Sequence, residues 1–199
     1  MDAYSYLFHG QVFANAQTGN MLLIGVNIAG GDFAAASKYT WPVLFFAIGI
    51  IIADMFNAVK RIKIVHWRQI SVLLEAIILT VVAFMPELSD DVANALISFA
   101  CGIQVQSFRA IRGNSIATTM CIGNFRSGTS NLDRFLFTKE KSYLRKSLLY
   151  YGIIVSFVAG AIIESALIRF LGRYAILFSS ALLLITLFIL FYEEIDETE

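Results

Sequence analysis

The chain has 199 residues, of which 58% are hydrophobic and only 15% are charged, and its mean hydropathy is +0.71. This composition excludes an ordinary soluble domain and indicates an integral membrane protein, with a length that fits one transmembrane domain over 1–199. The formal net charge is zero, and neither a basic excess nor a nucleotide-binding glycine loop indicates a nucleic-acid or nucleotide partner.

Near the start of the chain, the segment VFANAQTGNMLLIGVNIAGG combines lipid-compatible residues with a polar break. Irregular backbone at membrane depth survives only where protein buries it or water reaches it, and a helix that starts there would favour an anion. We therefore predict a solute site at this break, with helix capping and close packing as the alternative. Its predicted residues are Asn15, Thr18, Gly19 and Asn20.

Five later segments are apolar and long enough to be predicted as crossings. They cover 40–59, 67–85, 92–108, 148–170 and 174–192. Charged loops separate them, as expected from the cost of placing charge in lipid. The first nine residues predict a helix too short to span. Two further segments, 12–30 and 115–137, either cross the membrane or re-enter it.

The two ambiguous segments resemble each other, which indicates an internal repeat. When Gly19-Asn20 is placed on Gly123-Asn124, both halves show an apolar helix, a polar break, a long span, a basic loop and a final span. We predict an all-α polytopic protein with repeats over 1–88 and 92–192, each with a broken or re-entrant helix. The short first helix predicts a truncated or internal start at Met1.

The relative orientation of the two repeats in the membrane, inverted or parallel, depends on whether the segments with the two breaks cross the membrane. If both segments re-enter, each half has three spans and the halves are inverted; if both cross, each half has four and the halves run parallel. The 3+3 inverted arrangement is favoured because it leaves fewer basic residues outside the cytoplasm. Paired breaks in equivalent halves are the best sequence indication of a transporter binding site.

Charged residues inside predicted spans are candidates for function. Glu75 lies in QISVLLEAIILTVVAF, which contains no basic residue, and its carboxyl could bind or relay a proton; the alternative is a carboxyl satisfied by hydroxyls of the bundle. Asp54 and Glu164 lie near span ends and are expected to reach the headgroups. Cys101 and Cys121 lack metal-ligand spacing and are expected to pack, so no metal or cofactor is predicted.

The stretches DAYSYLFHGQVFANAQTGNMLLIG, GIQVQSFR and TTMCIGN resemble the YoaK family of bacterial membrane proteins of unknown function, over essentially the whole chain. In the first motif Phe13 and Gln17 depart from the family pattern, and in the later motif Val105 and Ile122 do. The matching positions are Asp2, Asn15, Thr18, Gly19, Asn20, Gly102, Gln104, Phe108, Arg109, Thr118, Thr119, Gly123 and Asn124.

The resemblance implies a multi-pass protein of the bacterial plasma (inner) membrane but supplies no activity. When the family motifs are combined with the predicted repeat, the solute-binding residues predicted in the second half are Gln104, Thr118, Thr119, Gly123 and Asn124.

These observations favour a small transporter or permease for a small, anionic solute, with Glu75 as the proton-coupling candidate. A passive channel and a membrane scaffold or sensor that binds a lipid or a partner protein are the alternatives. No nucleophile–base pair, metal cluster or carboxylate pair can be assembled from the sequence, so an enzyme is not expected. The expected partners are the lipid bilayer and a small solute, and a homodimer is left open.

Overall fold

The computed structural model describes residues 1–58, 67–108, 110–111, 114–115 and 121–196. Within these ranges the chain is helical, as predicted, apart from a two-residue antiparallel pairing of β1 (Ala110–Ile111) with β2 (Asn114–Ser115). The helices are α1 (Asp2–Phe8), α2 (Gln17–Ala29), α3 (Phe33–Ala58), α4 (Trp67–Phe84), α5 (Asp90–Ser107), α6 (Cys121–Thr138), α7 (Lys141–Leu171) and α8 (Ile176–Asp196).

Three helical segments in the described ranges are long and apolar enough to cross a membrane. They are Phe33–Phe56, Trp67–Phe84 and Lys141–Tyr192, the last of which combines α7, a 3-10 turn and α8. Gly172, with a φ of 55°, lies in that turn, where a left-handed conformation ends α7. The predicted span 92–108 forms a helix, α5, but is not among the three. The 13 residues of α2 rise about 20 Å, which is less than the hydrocarbon thickness of about 30 Å.

The described chain forms two compact units. The first contains Met1–Ser107 and Glu164–Glu199, and the second contains Phe108–Ile163. In the first unit α5 packs against α3 and α4, α4 packs against α8, and α2 packs against α3. The core of this unit is therefore centred on α5, where most side chains are buried.

Two glycines allow α3 and α5 to approach until their backbones touch. A methyl group on Gly102 would overlap the carbonyl oxygen of Phe46, and one on Gly49 would overlap the carbonyl oxygen of Phe99. Small residues at such positions are the usual means of close helix packing in membranes, where the hydrophobic effect supplies no driving force between helices. The Gln106 side chain of α5 also donates a hydrogen bond to Asp54 of α3.

Hydroxyl groups connect α4 with α8. The Ser180 hydroxyl donates to the carbonyl oxygen of Ala76 at 3.0 Å and lies 3.0 Å from the hydroxyl of Thr80. Glu164, near the end of α7, was expected to reach the headgroups, but this prediction is wrong. Its side chain is 3% exposed and accepts a hydrogen bond from Ser179 Oγ at 3.3 Å, because α8 folds back against it.

In the second unit α6 packs on α7 at another glycine. Ser147 Oγ donates to the carbonyl oxygen of Gly128 at 2.9 Å, and a methyl group on Gly128 would lie 3.3 Å from Cβ of Tyr150. Arg126, Asp133 and Arg134, which make this segment polar, are all exposed.

Both halves of the chain run through four helices in order, α1–α4 and α5–α8. The repeat architecture over 1–88 and 92–192, and the choice between 3+3 inverted and 4+4 parallel, stay predictions.

Candidate functional site

The first polar break lies in the first unit and is held together by the side chain of Asn20. Its Oδ1 accepts a hydrogen bond from the backbone N–H of Phe13 at 3.1 Å, and its Nδ2 donates to the carbonyl oxygen of the same residue at 2.6 Å. The amide therefore pairs with one residue in both directions, as a neighbouring strand would. Nδ2 also donates to Gln17 Oε1 at 2.8 Å, and Gln17 Nε2 donates to the Ala14 carbonyl at 2.7 Å.

A carboxylate from α1 occupies the backbone donors just before α2. Asp2 Oδ1 accepts hydrogen bonds from the N–H groups of Asn15 at 2.7 Å and Ala16 at 3.3 Å. The Ser5 hydroxyl accepts another from Ala14 N at 3.1 Å. An acid of the chain itself thus bonds the two N–H groups that immediately precede the first turn of α2.

The remaining residues of this break differ in exposure. Asn15 is buried, whereas Thr18 is exposed. Gly19 faces the ring of Phe13, which a methyl group would approach to 2.8 Å. The contact of Gly19 supports the close-packing part of the alternative, whereas the N-cap of α2 is Ala16 and no side chain caps it. The role of the break in solute binding stays a prediction.

The second set of predicted residues divides between the two units. Gln104 lies half-buried on α5 in the first unit. In the second unit Asn124 is buried in the first turn of α6, and Gly123 has nothing within 4 Å of where a methyl group would stand. Thr118 and Thr119 lie outside the described residues, as do Arg109, His66 and most of the basic loop that precedes α4.

Glu75 is buried in the middle of α4. Its side chain is 1% exposed, and both carboxyl oxygens lack a hydrogen-bond partner among the described residues. The expectation that hydroxyl groups would satisfy it is therefore not met within the described part of the chain. Burying a carboxyl without partners is among the most expensive arrangements in a membrane protein.

Further polar groups lie at successive turns along α5. Asn94, Ser98 and Cys101 are fully buried and share one face because they follow a spacing of four and three residues. Cys101 Sγ lies 3.8 Å from Sδ of Met1, at the start of the chain. No group of three or more His, Cys, Asp or Glu side chains in the described ranges could hold a metal ion.

A hydrogen-bonded pair of side chains lies at the outer end of this face. His9 Nδ1 lies 2.8 Å from Asp90 Oδ1, and Asn94 Nδ2 donates to the carbonyl oxygen of His9 at 2.8 Å. His9 is almost buried, with 10% of its side chain exposed. Sequence reasoning missed this arrangement, although the four-residue spacing of Asp90, Asn94 and Ser98 could have indicated it.

The spanning helices and the buried polar core define a helical transmembrane protein. The chain belongs to the family described as Protein of unknown function (DUF1275), whose model matches residues 1–189. It is also similar to the UPF0700 transmembrane protein YoaK of Bacillus subtilis (strain 168), with 28% identity over 175 residues, covering 82% of this chain and 76% of that protein. These matches confirm the predicted family. No solved structure matches the chain.

Proposed function

We propose that the chain is a small transporter of the bacterial plasma (inner) membrane, with several crossings, that moves a small solute coupled to protonation of Glu75. The observation that carries this proposal is the burial of Glu75, whose carboxyl oxygens have no hydrogen-bond partner among the described residues. Acidic side chains in the interior of a membrane bundle commonly serve as proton-binding groups, because neutralisation by a proton removes their desolvation cost.

The proposed cycle has two states of Glu75. A proton that reaches the carboxylate neutralises it and lets the bundle close around Glu75 without a buried charge at this position. Loss of the proton on the other side restores a charge that this interior cannot hold without water or a solute, and this favours reopening. An anionic solute fits the cycle because a proton that enters with it balances its charge. We propose no enzymatic activity and no cofactor; a homodimer would give so small a chain a larger scaffold.

Transport by purified chain in proteoliposomes tests the proposal. Phosphate, lactate and citrate serve as probes of small anions, and a pH-sensitive dye inside the vesicles records proton movement. We expect solute-dependent acidification for the wild type and its loss in Glu75→Gln. The matched control is Glu87→Gln, the same change at an exposed carboxyl in the turn between α4 and α5, which should transport as the wild type does.

Two outcomes would contradict this function. Transport that is equal in Glu75→Gln and the wild type would remove the proton-coupling role, and large flux insensitive to a pH gradient would indicate the passive channel. Absence of flux with every probe would favour the second candidate.

The second candidate is a membrane scaffold or sensor that binds a lipid or a partner protein. The internal hydrogen bonds of Gln17 and Asn20 support it, because the first break needs no ligand to satisfy these side chains. Phospholipid that copurifies and is retained through detergent exchange would favour this function.

A further inference from the structure

The buried polar face of α5 connects the protein surface with Glu75. Asp90 and Cys101 are separated by 11 steps along α5, or about 16 Å of helix. At its outer end the Asp90 side chain is 57% exposed. At its inner end Cys101 is fully buried, as is Glu75 of the neighbouring α4. The short turn between α4 and α5 places Glu75 beside the inner part of α5, since the two helices run back along each other.

The groups along this face retain hydrogen-bonding capacity. His9 Nε2, Asn94 Oδ1 and Ser98 Oγ are buried and have no hydrogen-bond partner among the described residues, and the same holds for both oxygens of Glu75. Groups of this kind bind water when they share a polar space, and a chain of such waters conducts protons. Four buried groups along this row thus retain hydrogen-bonding capacity among the described residues.

We propose that this row is the path by which Glu75 exchanges its proton with one side of the membrane. The His9–Asp90 pair forms the mouth, and Asn94 and Ser98 position water between the mouth and Glu75. A proton taken up at the mouth passes along the waters, each of which accepts one proton and releases another, and the last transfer forms the O–H bond of the Glu75 carboxyl. This inference rests on the proposed function, to which it adds the route of the coupling proton.

Other charged and titratable groups face the path. Tyr4 of α1 lies against the ring of His9, with 5.2 Å between ring centroids. Lys38 Nζ of α3 and Asp90 Oδ2 both lie close to Gly10. A methyl group on Gly10 would stand 3.1 Å from Lys38 Nζ and 3.6 Å from Asp90 Oδ2. Asp2 of α1 and the amino group of Met1 also face the inner end of the path, where Met1 Sδ lies 3.8 Å from Cys101 Sγ. Two cationic groups and two carboxylates thus border the path, in addition to Tyr4, His9 and Glu75.

Infrared difference spectroscopy of the full chain in lipid nanodiscs tests the path without requiring transport. A pH jump changes the stretching band of the protonated carboxyl of Glu75, which is identified by its absence in Glu75→Gln. We expect Ser98→Ala to slow the appearance of this band by about tenfold, as loss of one hydrogen-bonded step in the row would do. His9→Gln, at the mouth, should slow it similarly.

The matched control is Ser107→Ala on the same helix. Ser107 is also buried, but its hydroxyl donates to the Ile103 carbonyl at 2.8 Å, so its loss should leave the rate unchanged. Ser98→Thr, which keeps a hydroxyl, should be faster than Ser98→Ala. If Ser98→Ala does not fold, His9→Gln decides the test by itself.

The proposal is overturned if Glu75 gives no titrating band, or if Ser98→Ala and His9→Gln match the wild type. Its failure can be told from failure of the proposed function. If the Glu75 band appears more slowly in Ser98→Ala and no solute flux is found, the path is supported and transport is not. If coupled flux is lost in Glu75→Gln and the band appears at the wild-type rate in Ser98→Ala and His9→Gln, transport is supported and the path is not.

Discussion

Replacing Gly102 by alanine perturbs the closest helix contact of the first unit. The new methyl group would overlap the Phe46 carbonyl oxygen and lie 3.0 Å from its carbonyl carbon, well inside the ordinary carbon–carbon contact of about 3.5–4.0 Å. Backbone atoms cannot rotate away as a side chain can. Helices α3 and α5 must therefore separate, by on the order of 1 Å if the methyl group is to reach ordinary contact.

Two opposing effects determine how much Gly102→Ala lowers the free energy of unfolding. Overpacking of a well-packed interior typically costs about 1–3 kcal/mol. Alanine is intrinsically better than glycine in a helix by about 1 kcal/mol, which offsets part of that cost. Because separation weakens contacts along the whole α3–α5 interface, we expect the upper end of the overpacking range, and a net loss of about 2 kcal/mol.

Gly25→Ala provides the matched control. Gly25 is inside α2 and nothing lies within 4 Å of where its methyl group would stand, so only the propensity gain of up to about 1 kcal/mol should remain. Unfolding of both variants is followed by circular dichroism during titration with sodium dodecyl sulfate in mixed micelles. Opposite shifts of the two midpoints are expected. A Gly102→Ala midpoint equal to that of the wild type would refute the close backbone contact.

Three further variants probe other parts of the first unit by the same unfolding assay. Asn20→Leu should lower the free energy of unfolding by about 1–3 kcal/mol, because it leaves the backbone groups of Phe13 without the bonds to Asn20. Thr18→Val, at an exposed position, should change it little. Equal unfolding midpoints for these two variants would contradict the role of Asn20 in holding the break together. Glu75→Leu should raise the unfolding midpoint, because a buried acid without hydrogen-bond partners among the described residues is destabilising, and it should abolish coupled transport. A lowered midpoint would indicate that the Glu75 carboxyl does have stabilising partners. Ser180→Ala should lose about 1 kcal/mol of hydrogen bonding between α4 and α8, and no loss would show that these bonds are replaced.

Helix positions were predictable wherever apolar runs have charged boundaries. The predicted spans 67–85 and 92–108 correspond to α4 and α5 within two residues at either end. Two other helices begin earlier than predicted, α3 at Phe33 and α7 at Lys141. Hydropathy locates the part of a helix that suits lipid, and it does not register the polar turns by which a helix extends beyond that part.

The hydrogen bonds of the polar break could not be predicted in this way. Sequence shows that Asn20 and Gln17 are polar residues in an apolar setting, which is compatible with a ligand or with internal bonding. Their partners are Phe13, Ala14 and each other, and these bonds depend on how the chain turns before α2. The bonds of Asp2 to the backbone of Asn15 and Ala16 span 13 and 14 residues along the chain, and hydropathy gives no sign of them.

The buried acids illustrate the same limit. Glu75 was predictable because it lies in the centre of an apolar run. Glu164 lies near the end of its helix, where reach to the headgroups is the usual outcome, and its burial depends on α8 and Ser179. Position along one helix cannot reveal which neighbour covers that helix.

The two-way pairing of Asn20 with Phe13 restricts what evolution can place at position 20. The pairing needs an acceptor and a donor about one amide apart, at a fixed distance from the backbone. Aspartate offers no donor, leucine offers neither group, and glutamine places the same groups one methylene further out. Saturation mutagenesis should therefore tolerate almost no replacement at Asn20 and many at exposed Thr18, which lies two residues away. Natural family members should show the same contrast in their variation.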